Sequence, residues 1–166
     1  MRVLVSDTSV IVDLERGNLL EAVFRLDWEF AVPDLLFTEE LEEYSGQQLL
    51  ELGLQIAQLD GAGVQQALKC RQEIPQLSLP DAFAATLAQL NDWTLLTGDS
   101  ALRRYAESIA VPCHGVLWVI DELESSGALG RSVLHTALSE ISSHPRCRLP
   151  RGEVSKRLRK FGRNRR

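Results

Sequence analysis

The chain has 166 residues, 45% of them hydrophobic and 25% charged, with a net charge of −5. That is enough for one globular domain with a real core, and it excludes a disordered or low-complexity protein. No apolar run approaches the length of a membrane span, and Met1-Arg2-Val3-Leu4 leads straight into a strand-like segment rather than a signal peptide, so a cytoplasmic protein is expected. Charge is unevenly spread. Residues 145–166 hold ten Lys or Arg and one acid, a charge of +9, while residues 1–144 hold eight bases against 22 acids, a charge of −14. This divides the chain into an acidic body over 1–144 and a basic helix or tail over 145–166. The three cysteines are far apart and lack a Cys-x-x-Cys pair, which argues against a disulfide framework or a zinc knuckle.

In chain order, Val3-Leu4-Val5 predicts a short buried strand, and Ser9–Arg16 and Leu19–Leu26 predict helices broken at Gly17-Asn18. Glu29–Val32 is a second predicted strand, stopped by Pro33. Leu36–Tyr44 reads as one helix, and Gln47–Leu52 as another that Gly53 ends. Leu54–Leu59 alternates like a third strand. Gly63–Glu73 is helical in pattern. Ser78-Leu79-Pro80-Asp81 predicts the start of a helix with Ser78 as N-cap, followed by Phe83, Leu87 and Leu90 at helical spacing. Trp93–Thr97 predicts a fourth strand, Ala101–Ile109 a helix, and Val111–His114 a short edge strand. Val116, Ile120 and Leu123 form one amphipathic stripe, and Val133, Ala137, Leu138 and Ile141 another. Val154, Leu158 and Phe161 mark a basic amphipathic helix, with Gly162–Arg166 expected to fray.

This alternation predicts an α/β fold: a central, mostly parallel sheet of four to five strands with helices on both faces. Ligands in such folds bind at the carboxyl ends of the strands. Four acids stand near those ends: Asp7, Glu39, Asp81 and Asp99. Converging carboxylates are hard oxygen ligands suited to Mg²⁺ or Mn²⁺. They point to metal-assisted phosphodiester hydrolysis. An acid directly after a buried strand is costly without a cation or hydrogen-bond donors, which singles out Asp7. Asp81 and Asp99 also suit helix capping. Glu40, Glu42 and Glu43 read as solvated. So do Asp121, Glu122 and Glu124. His114, His135 and His144 lack metal-ligand spacing, and no nucleophile triad or Gly-x-x-x-x-Gly-Lys loop is visible.

The order Asp7-Thr8-Ser9, Pro33-Asp34-Leu35-Leu36-Phe37-Thr38-Glu39, Leu79-Pro80-Asp81-Ala82 and Leu96-Thr97-Gly98-Asp99 resembles the PIN-domain ribonucleases, and most of all the VapC-type toxins of toxin–antitoxin pairs. The resemblance covers roughly residues 1–120 and, more loosely, the later helices. It implies a three-layer PIN-like sandwich and a metal-dependent endoribonuclease acting on single-stranded RNA. Asp7 would be the central metal ligand, with Glu39, Asp81 and Asp99 completing the set and Ser9 and Thr97 as polar support. The family spacing from Pro33 favours Glu39 over Glu40. A protein antitoxin and a homodimer are further implications, with no membrane. The basic tail, through Arg157, Arg159 and Lys160, could contact RNA or a partner, or fold back on the acidic body. The competing reading is a catalytically silent PIN module that binds RNA or a protein. Haloacid-dehalogenase-like chemistry lacks its second acid at Ser9.

Overall fold

In a computed structural model, residues 1–163 are described, and they fall into two compact units. The first comprises Met1–Val10 and Asp27–Gly115. The second comprises Ile11–Leu26 and the chain from Val116 onward.

The first unit is built on a five-stranded parallel sheet: β1 (Arg2–Val5), β2 (Glu29–Pro33), β3 (Gln55–Ala57), β4 (Thr94–Leu96) and β5 (Cys113–His114), in the spatial order β3-β2-β1-β4-β5. Val3, Leu4 and Val5 are consecutive and all buried. Successive side chains point to opposite faces, so both faces of β1 are covered. This is the α/β sandwich that the strand–helix alternation predicts. Strand order decides where a site can form. The chain runs outward from β1 to β2 and β3, then crosses back to lay β4 on the other side of β1. Helices therefore diverge above the β1–β4 junction and leave a crevice at the carboxyl ends.

The helices of this unit are α3 (Asp34–Leu36), α4 (Gly46–Leu52), α5 (Gly61–Glu73), α6 (Leu79–Asn91) and α7 (Ser100–Ser108); α1 (Thr8–Arg16) begins in it. α6 carries Ala82, Ala84, Ala85 and Ala88, all buried in the core with Leu4, Leu87, Leu95 and Leu102. Small side chains let this helix lie close to the sheet. Leu90, expected on the same stripe, is instead 54% exposed. The core face has drifted towards the alanines, which a hydrophobic-only periodicity undercounts. α4 ends as expected at Gly53, whose φ of 111° is the left-handed conformation that glycine adopts without strain.

Three expected boundaries shift. β3 covers only the middle of the alternating Leu54–Leu59 segment, and Trp93 lies outside β4. Pro33 does not stop β2 but forms its last residue, opposite Ala57. Proline is tolerated at a strand end, where it forgoes one ladder bond. The predicted helix Leu36–Tyr44 also fails as a single α-helix. It is the short α3 followed by a π-helical turn over Phe37–Leu41, with the Glu42 N–H bonding the Phe37 carbonyl at 2.8 Å.

The second unit contains α2 (Leu20–Phe24), α8 (Val116–Ser125), α9 (Arg131–Ser143) and α10 (Arg151–Gly162). On α8, Val116, Ile120 and Leu123 are buried as predicted, joined by Val119. On α9 the stripe is Leu134, Ala137, Leu138 and Ile141. Val133 is 53% exposed, so the expected Val133 is corrected to Leu134. Both fit a helical repeat with Ala137 and Ile141, and packing selected the larger side chain. The chain passes Gly17 close to α9, where an added Cβ would stand 2.7 Å from Ile141 Cδ1. Residues 164–166 of the expected frayed end lie outside the described residues. Among the described residues, no helix is long and apolar enough to cross a membrane.

Candidate metal centre

Asp7 stands just beyond β1, after Ser6, and its carboxylate accepts two backbone N–H groups, from Ser9 at 2.9 Å and Gly98 at 3.2 Å. The Gly98 bond joins the ends of β1 and β4, the two strands that flank the crevice. Gly98 is needed at this approach. A Cβ there would lie 3.3 Å from Ser9 Oγ and 3.4 Å from Asp7 Oδ2. Asp99 caps α7, with Oδ1 accepting the Leu102 N–H at 2.8 Å, while its own N–H donates to Thr97 Oγ1 at 3.0 Å. Ser78 caps α6 by accepting the Asp81 N–H at 3.2 Å. The capping roles read from sequence are thus realised, and they orient the acids as well as the helices.

Asp7, Asp81 and Asp99 line one cleft of about 180 Å³, together with Ser6, Leu36, Glu40, Ser78 and Pro80. Glu39 is not among the lining residues. Glu40 takes the place expected for it, and Thr8 Oγ1 donates a hydrogen bond to Glu40 Oε2. The π-helical turn supplies the reason. A turn closed by an i→i+5 bond holds more residues than an α-turn. The residue four positions on from Leu36 stays over it, and the residue three positions on swings aside. Leu36 and Glu40 therefore share the cleft, although Glu39 and Glu40 are both exposed to solvent. Family spacing counted from Pro33 cannot register such a widening. Ser9 and Thr97 do not line the cleft. Ser9 acts through its backbone N–H on Asp7, and the buried Thr97 through its hydroxyl on Asp99.

The electrostatics are those of crowded carboxylates. Burial pushes the Asp81 carboxyl above its ordinary value; the Ser78 hydrogen bond opposes this, and the negative charges of Asp99 and Asp7 reinforce it. Among the described residues, no three His, Cys, Asp or Glu side chains are posed tightly enough to hold a metal ion as they stand. The donor set is nonetheless all hard oxygen, the ligand chemistry that suits Mg²⁺ or Mn²⁺.

The chain matches the family described as "DUF3368: PIN domain" over residues 3–163. It belongs to this PIN-domain family. Among solved structures, this PIN domain is similar to a PilT N-terminus domain protein from Sulfolobus solfataricus P2, at 12% identity over 78% of this chain and 94% of that one, with a TM-score of 0.48. It is also similar to a toxin–antitoxin complex from Klebsiella pneumoniae, at 22% identity over 60% of this chain and 88% of that one, with a TM-score of 0.46. No curated protein matches it.

The basic tail of the PIN domain is the α10 helix. Arg157 donates to both oxygens of Asp121 on α8, at 2.8 and 2.6 Å, and also pairs with Glu153. Lys160 pairs with Glu124, which Arg131 binds from α9 at 2.7 Å. Arg157 and Lys160 are therefore engaged within the second unit, and Asp121 and Glu124 are not the free wet face expected of them. Val154 and Phe161 are buried beside these pairs. Burying such side chains is worth roughly 1.5–3 kcal/mol each, and the ion pairs beside them are partly buried, so that their attraction is offset by lost solvation. The apolar stripe holds α10 down, and the ion pairs set its rotation. Lys156 and Arg159 are exposed and make no ion pair among the described residues.

Lys160 and Arg131 hold the Glu124 carboxyl below its ordinary value, with burial opposing them. A carboxyl with a depressed folded value stabilises the fold above its unfolded value and loses that stabilisation as pH falls through the folded one. Glu124→Gln is thus expected to lower stability at neutral pH, and the deficit should shrink as the pH drops below the ordinary carboxylate range. Urea unfolding of both proteins across that range measures it. A deficit constant with pH would show that charge on Glu124 is not its source.

Proposed function

We propose that this protein is a Mg²⁺- or Mn²⁺-dependent endoribonuclease acting on single-stranded RNA, and the toxin of a toxin–antitoxin pair. The observation that carries the reading is the cleft at the β1–β4 switch point, lined by Asp7, Glu40, Asp81 and Asp99. Membership in the PIN-domain family supports nuclease chemistry.

Asp7, Asp81, Asp99 and Glu40 would hold the metal. When bound, a divalent ion lowers the pKa of a water and offsets charge on the scissile phosphate. The chain's own part is orientation. The Ser9 and Gly98 N–H groups fix Asp7, the Leu102 N–H fixes Asp99, and the Thr8 hydroxyl steadies Glu40. Without a cation the carboxylates repel the phosphate, so activity depends on the metal. Lys156 and Arg159, rather than Arg157 and Lys160, are the α10 cations that would contact RNA phosphates. A homodimer and a small antitoxin protein complete the proposal.

Purified protein with single-stranded RNA and Mg²⁺ or Mn²⁺ should cleave it, and EDTA should stop cleavage. Cleavage that survives EDTA would sink the metal mechanism. RNA binding without cleavage under any metal would favour a silent binding module. Growth arrest on expression, relieved by the product of an adjacent small reading frame, tests the toxin assignment.

A further inference from the structure

The residues lining the acidic cleft include no cation. A bound metal would offset the charge of one phosphate, but the neighbouring phosphates of a strand would meet a cleft whose charged side chains are all carboxylates. One cation stands at the same strand end. Arg103, on α7, is one turn from Asp99, and its N–H donates to the Asp99 carbonyl at 3.1 Å. Its guanidinium folds back towards β4, with Nη2 donating to the Thr97 carbonyl at 3.3 Å. Thr97 also holds the Asp99 N–H, so Arg103 is tied to the backbone that positions a cleft acid.

Two further observations show that this placement is particular. Glu107 lies four residues along α7, where a helix-surface ion pair could form, yet Arg103 makes no ion pair among the described residues and turns towards the strand end instead. Room for it there comes from Gly115, just beyond β5, where a Cβ would stand 3.2 Å from Arg103 Nη2. Arg103 is an exposed residue, and among the described residues one of its five guanidinium N–H donors is bonded, which leaves the rest of a planar fork for a ligand beside the carboxyl ends of β4 and β5.

We propose that Arg103 holds a backbone phosphate of the nucleic acid lying across these strand ends, on the β5 side of the cleft. The inference rests on the nuclease reading for its substrate class. Arg103 does not act on the cleaved bond. It sets where the strand lies.

The test compares Arg103→Gln, Arg103→Lys and the neighbouring Arg104→Gln in the full chain. For cleavage of single-stranded RNA, Arg103→Gln should raise KM about tenfold with little change in kcat, as expected for a lost charged hydrogen bond to bound substrate. Arg103→Lys should recover most of the affinity, and Arg104→Gln should behave as wild type. In an Asp7→Asn background, binding of a fluorescent oligoribonucleotide is followed against salt. Arg103→Gln should flatten the slope of log K on log salt by about 0.7, the share of one phosphate contact on a single strand. Unchanged KM and slope in Arg103→Gln would overturn the proposal. So would failure of Arg103→Lys to rescue while Arg103→Gln lowers kcat and Tm, which would make the Thr97 tether purely structural. If wild type binds RNA with an Arg103-dependent slope but cleaves none, the nuclease reading fails and the phosphate contact stands. If it binds none, both fail.

Discussion

Asp7→Asn is expected to reduce metal-dependent RNA cleavage by about 1000-fold or more while leaving the protein folded. The size follows from what a metal site supplies. Charge stabilisation by a bound ion is worth several kcal/mol, and about 4 kcal/mol corresponds to three orders of magnitude in rate. The substitution is nearly isosteric. Asn can keep one oxygen to accept from Ser9 or Gly98, but its amide group cannot accept the second N–H. The carboxylate's charge is lost at the junction of β1 and β4, where the cleft acids converge. Circular dichroism and thermal melting should stay near wild type, since removing one of several repelling carboxylates offsets part of the lost hydrogen bonding. Isothermal titration with Mn²⁺ should show weakened binding in parallel with the lost rate. Full cleavage by Asp7→Asn would remove the central acid from the mechanism.

Glu40→Gln and Glu39→Gln should separate by a wide margin. The first is expected to lower kcat by about 100-fold, the cost of roughly 2.7 kcal/mol of lost transition-state stabilisation, and the second to leave activity within about a factor of two. Glu40 lines the cleft and takes a hydrogen bond from Thr8, whereas Glu39 is not among the residues that line it. The opposite ranking would mean that the turn closes as an ordinary α-helix in the working protein. Thr8→Val is a useful companion. It keeps the shape, removes the donor that steadies Glu40, and should fall between the two in effect.

Much of this was legible before any coordinates. Val3-Leu4-Val5 is too apolar and too short to be anything but a buried strand, and an acid placed directly after it must find partners. Ser78 and Asp99 announce helix starts through local hydrogen bonds that need only a few residues of chain. Gly53 announces a helix end because a left-handed φ is strained for other residues. Such features depend on interactions within one turn, so sequence carries them. The later elements were read less well for the opposite reason. Val133 and Leu134 are equally apolar, and which of them is buried depends on the helices packed against α9. For Arg157 and Lys160 the choice between an outside partner and folding back stayed open, because their acidic partners on α8 lie 36 residues away.

The sequence by itself determined the class of fold, the order of strands and helices, and the caps at Ser78 and Asp99. Alternating apolar segments and capping residues act locally and leave few alternatives. Only the tertiary structure decided that the strand order is β3-β2-β1-β4-β5, so that Asp7 and Asp99 flank one crevice. It alone put Glu40, and not Glu39, on the lining of that cleft, because one wide turn rotates a helix face without changing a residue. It also chose among the roles open to the basic helix, packing it through Val154 and Phe161 with Arg157 and Lys160 paired to acids of α8.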